Sequence, residues 1–367
     1  MVAKQISILN FKNLEQVDLA FSPKMNCFFG NNGMGKTNLL DALFYLSFCK
    51  NHTNLSDSQL IKHDADFCLL QGSYLFEDNH SEEIYCGIKR KHHKIFKRNK
   101  KEYEKLSEHI GLLPLVMISP ADTDLIQGGS DERRKFVDMV ISQYDKLYLQ
   151  SLIRYNKALV QRNSLLKSTD HQSFDNALFE IWEEQLAENG RIIYEKRKQF
   201  TAEFLPIFKE FHRFICEAGE NVDFIYQSQL SDTDLMSLLV QKRERDKILG
   251  YTSAGIHKDD FDFLLDGYLM RKTGSQGQSK TYLIALKLAQ FNFLVKTGSP
   301  TPILLLDDVF DKLDATRVEQ IVKLVIQDRF GQIFITDTNR KYLDEILNKM
   351  NHDYKLFQVE NGNITEL

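Results

Sequence analysis

A glycine-rich segment near the start of the chain, GNNGMGKT from Gly30 to Thr37, has the residue spacing of a phosphate-binding loop. Glycines let backbone N–H groups approach phosphate oxygens, and the N-terminus of the following helix adds positive potential. Lys36 is expected to reach the terminal phosphates of a nucleotide, and Thr37 to bind Mg²⁺ through its hydroxyl. A chance glycine-rich turn is the alternative, but the flanking strand and helix patterns favour the loop. The residues predicted to bind the nucleotide are Asn31, Asn32, Gly33, Gly35, Lys36, Thr37 and Asn38.

Two adjacent acids follow an apolar run in the segment PILLLDDVFDKLD, from Pro302 to Asp314. The apolar residues predict a buried strand, and Asp307 at its carboxyl end is expected to hold Mg²⁺ together with Thr37. Asp308 comes next and can orient or deprotonate a water that attacks the terminal phosphate. A solvated loop would also place two acids together, so this reading depends on the loop at Lys36. The predicted catalytic residues are Lys36, Asp307 and Asp308.

A second loop of small polar residues, TGSQGQSK from Thr273 to Lys280, precedes a long run with helical periodicity. Ser275 is a good N-cap residue, so a capped helix start is the simplest local interpretation. A hydroxyl and a glycine at a helix N-terminus can also bind an anion. The segment alone leaves both interpretations open.

A basic run occupies residues 89–101, KRKHHKIFKRNKK, with eight Lys or Arg, two His and no acid. Its charge suits DNA phosphates, and such contacts carry no base information. The alternative is a solvated edge strand, since lysines also block edge pairing. The predicted DNA contacts are Lys89, Arg90, Lys91, Lys94, Lys97, Arg98, Lys100 and Lys101. Further candidates, each of which could instead pair with a local acid, are Arg133, Arg134, Arg154 and Arg162.

Composition excludes several classes of protein. No run approaches the about 20 apolar residues that span a bilayer, and the start MVAKQISILNF is too alternating for a signal peptide, which predicts a cytoplasmic protein. The five cysteines are widely spaced without a C-x-x-C pair, which argues against zinc and disulfides and predicts buried thiols. The net charge of −4 argues mildly against DNA binding, but the local distribution matters more than the sum.

Patterning predicts the elements that position these residues. The first 30 residues alternate like three strands, LLDALFYLSF has helical spacing, and strand patterns return between residues 67 and 96 and at PLVMIS. Residues 130–217 read as two or three long helices with KSTDHQSFD as a turn. Strand patterns at VDFIYQ and DFLLDGY lead to the helix after the second loop, and the end reads as strand, helix, strand, helix and hairpin.

These elements predict an α/β protein whose head is assembled from both ends of the chain around a helical arm. Residues 1–129 form the N-terminal part of the head, with the loop at Lys36, antiparallel strands and the basic hairpin. Residues 130–220 form the arm, whose far boundary could reach about residue 250. Residues 221–367 complete the head.

The order of these motifs resembles the ABC-type P-loop ATPases that act on DNA, the SMC-like group, and within it the RecF family. The most specific runs are RYNKALVQRN, GIHKDD and GSQGQ, supported by SPADTDLIQGGSDERRKFVD. The chain departs from the family at Ile256, where proline is usual, at Lys258 and Lys280, where arginine is usual, and at Ser279, where glutamine is common. Lysine keeps the charge but lacks the planar fork of arginine.

The resemblance implies that two heads enclose two molecules of ATP with Mg²⁺, each between the loop at Lys36 of one subunit and the signature loop of the other. Ser275, Gly277 and Gln278 would contact the terminal phosphate in trans. Asp314 matches the D-loop and Asp337 the switch position, where Thr336 or Thr338 could serve instead. No conventional Q-loop glutamine is apparent; Ser119, Pro120 and Asp122 occupy that place.

The function implied is a clamp for recombinational gap repair. ATP binding closes a homodimer on double-stranded DNA near single-strand junctions, and slow, DNA-stimulated hydrolysis releases it. The implied partners are RecR and RecO, with RecA loading downstream, and no membrane. One alternative is a nucleotide-gated DNA-binding module without significant hydrolysis. Another is a different SMC-like ATPase; a nuclease fusion is disfavoured because about 30 residues follow the FITDT strand.

Overall fold

The computed structural model describes residues 1–53, 55–167, 176–216, 219–310, 313, 315–326, 330–338, 340–348 and 353–367. The chain divides into two compact units. The sheet unit contains Met1–Asp122, Phe214–Glu217 and Lys280–Leu367, and the helical unit contains Thr123–Arg213 and Ala218–Ser279. The α/β fold class is confirmed, and the sheet unit contains residues from both ends of the chain.

The sheet unit contains an antiparallel sheet with the strand order β2-β1-β4-β5-β6-β7 in the described residues. Its strands are β1 (Val2–Phe11), β2 (Leu14–Ala20), β4 (Phe67–Leu75), β5 (Ser81–Lys89), β6 (Ile95–Arg98) and β7 (Lys101–Glu102). Burial alternates along β1 and β5, as expected for strands with one face toward a core. The alternation read from the sequence therefore predicts these strands correctly.

A second sheet of the same unit has the order β15-β14-β3-β13-β12-β8. Its strands are β3 (Met25–Phe29), β8 (Leu115–Ile118), β12 (Ile303–Asp307), β13 (Ile333–Asp337), β14 (Tyr354–Glu360) and β15 (Asn363–Glu366). All except β15 are parallel to their neighbours, so their carboxyl ends share one edge. The segments that follow β3, β8, β12 and β13 lie at this edge. Open parallel sheets bind ligands at the carboxyl ends of their strands.

Helix α1 (Lys36–Phe48) packs against strands of both sheets and is buried along most of its length. A helix enclosed in this way is apolar around its whole circumference, which matches LLDALFYLSF. The other helices of the sheet unit are α9 (Ala315–Ile326), α10 (Arg340–Leu347) and α8 (Gln276–Lys296) from Lys280 onward. All five cysteines are buried free thiols, as predicted.

The helical unit combines helices with a small antiparallel sheet of order β11-β10-β9. Its strands are β9 (Val222–Gln227), β10 (Asp260–Leu265) and β11 (Tyr268–Leu269). Its helices are α2 (Thr123–Gln127), α3 (Ser130–Tyr144), α4 (Lys146–Lys167), α5 (Asn176–Cys216, through Arg213), α6 (Leu235–Leu249) and α7 (Met270–Thr273). The predicted long helices correspond to α3, α4 and α5.

The structure differs from the sequence interpretation over residues 251–279, because the far boundary of the arm was left open only up to about residue 250. These residues group with the helical unit, because β10 pairs with β9 and packs against α3. Helix α6 was not predicted at all. Its buried residues include Leu235, Leu238 and Leu239 near its start, followed by the charged run QKRERDK, so no apolar stripe continues along it. Across the part of the chain that is described, no helix is long and apolar enough to cross a membrane.

Candidate functional site

The glycine-rich loop connects β3 to α1, as the motif requires. Gly33 and Gly35 have φ values of 80° and 114°, a region that favours glycine. A Cβ atom on Gly35 would lie 2.8 Å from Asn13 Oδ1, so alanine there would meet both strain and a clash. Lys36 is buried, and its Nζ donates to the carbonyl oxygens of Gly30 at 2.7 Å and Asn31 at 3.2 Å. The loop is therefore folded around its own lysine.

Asp307 joins the two halves of the site at the carboxyl edge of the sheet. Thr37 Oγ1 donates to Asp307 Oδ1 at 3.0 Å and to Oδ2 at 2.9 Å. Thr336 Oγ1 donates to Asp307 Oδ1 at 2.7 Å. The hydroxyl and carboxylate assigned to Mg²⁺ from the sequence are thus already in contact, and Thr336 fixes the carboxylate from the neighbouring strand β13.

The environment of Asp307 disfavours its charged form. Burial raises the pKa of Asp307, and the nearby carboxylates of Asp308 and Asp41 also raise it, while hydrogen bonds from Thr336 and Thr37 lower it. A buried carboxylate beside other carboxylates is stabilised when a cation binds. The electrostatics of this edge therefore suit a divalent metal ion.

Asp308 has a φ of 45°, which is unusual for a non-glycine residue. Its N–H donates to Thr336 O at 3.2 Å and to Thr336 Oγ1 at 3.1 Å, so Thr336 holds both consecutive acids. Asp308 lines a cavity of about 130 Å³. The other residues that line it are Asn32, Gly33, Gly35, Lys36, Thr37 and Asn38. A carboxylate in this position can orient a water toward a phosphate in the loop.

The residues present fit ATP with Mg²⁺. The positive-φ glycines leave the loop backbone open, and apart from its chain neighbours no described residue has an atom within 4 Å of a Cβ position at Gly33. Lys36 would supply charge for the phosphates, and Thr37 with Asp307 would supply the hard oxygen ligands that Mg²⁺ prefers. When bound, Mg²⁺ would neutralise charge that develops on the phosphate oxygens.

The C-terminal hairpin of β14 and β15 contacts the glycine-rich loop. The sequence did not predict this contact. Gly362 N donates to Met34 O at 2.9 Å. Asn13 Nδ2 donates to Gly33 O at 3.3 Å and its Oδ1 accepts from Asn38 Nδ2 at 2.7 Å. Gly362 has a φ of 81°, and a Cβ there would lie 2.5 Å from Asn13 O. The Asn361-Gly362 pair signals a hairpin turn, but nothing local indicates what the turn contacts.

A buried ion pair lies one helical turn beyond the loop. Asp41, four residues after Thr37 on α1, pairs with Lys12, and its Oδ1 has no hydrogen-bond partner among the described residues. Asp41 also contributes to the raised pKa of Asp307. The i, i+4 spacing from Thr37 is the sequence signal that could have identified Asp41.

The SPAD segment after β8 is anchored by charge. Asp122 Oδ2 accepts from Ser119 N at 2.8 Å, and its Oδ1 accepts from Lys287 Nζ at 2.7 Å and lies 3.4 Å from His52 Nε2. Burial alone would raise the pKa of Asp122, but Lys287 and His52 hold it well below its usual range. This segment has no glutamine, so the Q-loop assignment remains a prediction.

The second loop forms a capping box at the start of α8. Ser275 Oγ accepts from Gln278 N at 3.2 Å, and Gln278 Oε1 accepts from Ser275 N at 2.9 Å. Gln278 Nε2 donates to Glu220 Oε1 at 2.9 Å. The cap interpretation of the sequence is thus confirmed locally, and it leaves the proposed contact in trans untested. Asp337 is buried at the end of β13, and Asp314 lies outside the described residues.

The basic run spans the end of β5, β6 and β7, and the side chains of three of its eight cations form hydrogen bonds or ion pairs with described residues. Arg90 donates to the carbonyl oxygens of Ala65, Ser58, Lys62 and His63. Lys94 lies 3.2 Å from Asp57, and Arg98 pairs with Glu82. The exposed members are Lys89, Lys91, Lys100 and Lys101, and Lys97 lies 5.8 Å from the ring centroid of Tyr85.

The arginines of the arm also differ in their surroundings. Arg133 pairs with Asp260 at 2.7 Å, and Arg134 pairs with Asp131. Arg162 is fully buried between Glu183 and Asp246, at 2.9 and 2.8 Å. Arg154 is exposed. Arg162 is therefore part of the core of the helical unit, because its charge is neutralised out of reach of solvent.

Comparison with known sequences gives full-length matches. Residues 2–365 match the family described as the RecF/RecN/SMC N-terminal domain. The chain is 64% identical over 364 residues to the DNA replication and repair protein RecF of Parabacteroides distasonis, covering 99% of each chain. It is 61% identical over 367 residues to the protein of the same name from Bacteroides thetaiotaomicron, covering 100% of this chain and 99% of that one.

Comparison with solved structures gives the same result. The chain is similar to the recombination mediator protein RecF-ATP in the RecFOR pathway, with a TM-score of 0.90, 31% identity and coverage of 100% of this chain and 97% of that chain. It also shares the fold of the Smc head domain from Pyrococcus furiosus, with a TM-score of 0.58, 18% identity and coverage of 100% and 96%.

Proposed function

The chain belongs to the RecF family of DNA replication and repair ATPases, and from this premise we propose that it is an ATP-dependent clamp on double-stranded DNA. In this proposal ATP binding closes a homodimer on DNA near junctions of double and single strands, and slow, DNA-stimulated hydrolysis opens it. The protein acts in the cytoplasm in recombinational gap repair. The similar structure belongs to the RecFOR pathway, which supports RecR and RecO as partners and RecA loading as the outcome.

The observation that carries the proposal is the contact between Thr37 and Asp307 beside Lys36. The chain brings a phosphate-binding lysine, a metal-binding hydroxyl and a metal-binding carboxylate to one edge of a parallel sheet. Lys36 binds the terminal phosphates, and Thr37 with Asp307 holds Mg²⁺. Asp308 positions the attacking water and accepts its proton.

The second half of each nucleotide site belongs to a second copy of the chain in this proposal. Ser275, Gly277 and Gln278 lie at the start of α8, where helix N–H groups and a hydroxyl suit the terminal phosphate. The capping box between Ser275 and Gln278 supports it, because it holds both side chains at the helix terminus. Asp314 and Asp337 are assigned to the D-loop and the switch.

The test compares Lys36→Arg with Ser275→Arg in light scattering with and without ATP. Both variants should remain monomeric when ATP is added, but for different reasons. Lys36→Arg should fail to bind ATP, whereas Ser275→Arg should bind ATP normally in equilibrium dialysis and fail only to dimerise. If Ser275→Arg dimerises with ATP like the wild type, the contact in trans is wrong.

A further inference from the structure

A cavity of about 570 Å³ lies within the helical unit, between the start of α3, the middle of α4 and the turn Ile256–Lys258 that precedes β10. Its volume is in the range of small-ligand sites. The cationic side chains that line it are Arg134, Lys135, Arg197 and Lys258, and the carboxylates are Asp131 and Asp138. The lining residues carry two more positive than negative charges, although Lys135 pairs with Glu132 and Arg197 also pairs with Asp259, two acids outside the lining.

The two carboxylates are already neutralised by cations of the lining. Arg197 Nη2 donates to Asp138 Oδ1 at 2.8 Å, and Arg134 pairs with Asp131. Lys258 lies 5.1 Å from the ring centroid of Tyr251, and no acidic side chain among the described residues forms an ion pair with it. The positive charge of Lys258 therefore remains available to a ligand.

Burial is the largest cause of the pKa shifts of two groups that line the cavity. Burial lowers the pKa of Arg134, and the nearby guanidinium of Arg197 lowers it further. Burial lowers the pKa of His257 to about 4, and the charges of Lys258 and Arg134 act in the same direction, against its hydrogen bond to Thr252. His257 is thus neutral at pH 7 and contributes no charge to the lining.

Two neutral side chains with hydrogen-bond donors also line the cavity. Ser130 lies at the start of α3 and Asn156 on α4, and neither side chain has a hydrogen-bond partner among the residues that the structure describes. Lys258, Asn156 and Ser130 line the cavity from three separate elements. Several donors around one anion suit the oxygens of a phosphate group.

We propose that this cavity binds a phosphate group, separately from the nucleotide loop at Lys36. The source of the phosphate is either free phosphate or the backbone of DNA, and the second source rests on the proposed function. In the second case Lys258 anchors one backbone phosphate against the helical unit. Such a contact adds affinity without sequence preference.

The first experiment is mass-spectrometric footprinting of lysine amines in the full chain. Inorganic phosphate should protect Lys258 from acylation, while the exposed Lys157 on the same unit should remain equally reactive. A short duplex added with ATP should protect Lys258 as well if DNA is the source. Absence of protection of Lys258 by both phosphate and the duplex would overturn the proposal.

The second experiment measures duplex binding with ATP over a salt series for Lys258→Gln and for Asn156→Asp, which adds a negative charge at nearly constant volume. If the DNA backbone is the source, Lys258→Gln should weaken binding about tenfold, the loss expected for one charge-assisted hydrogen bond, and Asn156→Asp should weaken it through charge repulsion. Lys258→Gln should also reduce the salt slope by about 0.9. The matched controls are Lys157→Gln and Gln161→Glu, exposed changes of the same charge on α4, which should match the wild type.

The footprinting and duplex-binding experiments together distinguish the two sources of phosphate. Protection of Lys258 by phosphate, with unchanged duplex binding by Lys258→Gln, supports free phosphate as the source. Protection by both probes, with a reduced salt slope, supports the DNA backbone. If the wild type fails to bind the duplex with ATP, the proposed clamp function fails, and footprinting with phosphate still decides whether the cavity is a phosphate site.

Discussion

Thr37 Oγ1 donates to both carboxylate oxygens of Asp307, although the two residues are 270 positions apart in the chain. The sheet order explains the contact, because β13 lies between β3 and β12 and all three strands end at the same edge. Thr336, near the end of β13, donates to the same carboxylate. The contact between the two residues proposed to bind Mg²⁺ therefore depends on pairing between strands from both ends of the chain.

Replacing Asp307 with asparagine should abolish ATP hydrolysis and raise the free energy of unfolding of the nucleotide-free protein at neutral pH. Burial raises the pKa of Asp307, so the folded state binds this proton more tightly than the unfolded state does. The wild type consequently loses stability as pH rises from the unfolded pKa through the raised folded pKa. The difference in free energy of unfolding between Asp307→Asn and the wild type should be largest at neutral pH and disappear in acid.

Thermal unfolding in a pH series without nucleotide measures this effect. Asp18→Asn, an exposed change on β2, is the control and should follow the wild type at each pH. A lower melting temperature for Asp307→Asn at neutral pH would show that its hydrogen bonds from Thr37 and Thr336 outweigh the cost of burial.

Asp308→Asn should bind ATP and DNA but hydrolyse ATP at least about a hundredfold more slowly, because asparagine cannot accept a proton from water. Its fold should be retained, since the contacts of Thr336 are with the backbone N–H of Asp308. The measurement is dissociation of labelled duplex after excess unlabelled duplex is added. Complexes of the variant should persist, whereas unchanged release would favour a nucleotide-gated module in which hydrolysis has no role.

The sequence was sufficient to predict the positions of the glycine-rich loop, between a strand and a helix, and of Asp307, at a strand end, because both follow from short motifs beside strongly patterned strands. The sequence was insufficient where the partner of a side chain or a strand is a backbone segment far away in the chain. The four carbonyl oxygens that surround Arg90 belong to residues 58–65, and nothing in the basic run indicates them. The grouping of β9 and β10 with the helical unit likewise depends on strand pairing that has no local signal.

The double variant Lys100→Gln/Lys101→Gln should weaken DNA binding and leave stability unchanged. Lys100 lies in the turn after β6, and Lys101 is the first residue of β7. Both lysines are exposed, and neither has an ion-pair partner among the described residues. Loss of two phosphate contacts should reduce the salt slope of duplex binding by about 1.8. Fluorescence anisotropy over a salt series measures the slope.

Arg90→Gln, in the same basic run, should have the opposite effects to the Lys100→Gln/Lys101→Gln double variant. Its guanidinium hydrogen bonds to backbone carbonyl oxygens would be lost, so the free energy of unfolding should fall by about 1 to 3 kcal/mol with the salt slope unchanged. A reduced slope for Arg90→Gln and an unchanged slope for the double variant would exclude the exposed lysines as the DNA contact.

Arg162→Met should destabilise the protein by about 3 to 5 kcal/mol, because it leaves buried carboxylates without their cation. Arg162 Nη1 donates to Asp246 Oδ2 and its Nη2 to Glu183 Oε1, and all three side chains are inaccessible to solvent. Arg243 still pairs with Glu183 in the variant, so the greatest cost should come from Asp246. Urea unfolding of Arg162→Met measures the change, and the double variant Arg162→Met/Asp246→Leu should recover part of the loss.

Arg154 is exposed on the same helix, so the control variant Arg154→Gln should change stability by less than about 0.5 kcal/mol. A similarly small effect of Arg162→Met would mean that water reaches Asp246 when the arginine is absent, and that this ion pair does not hold the helical unit together.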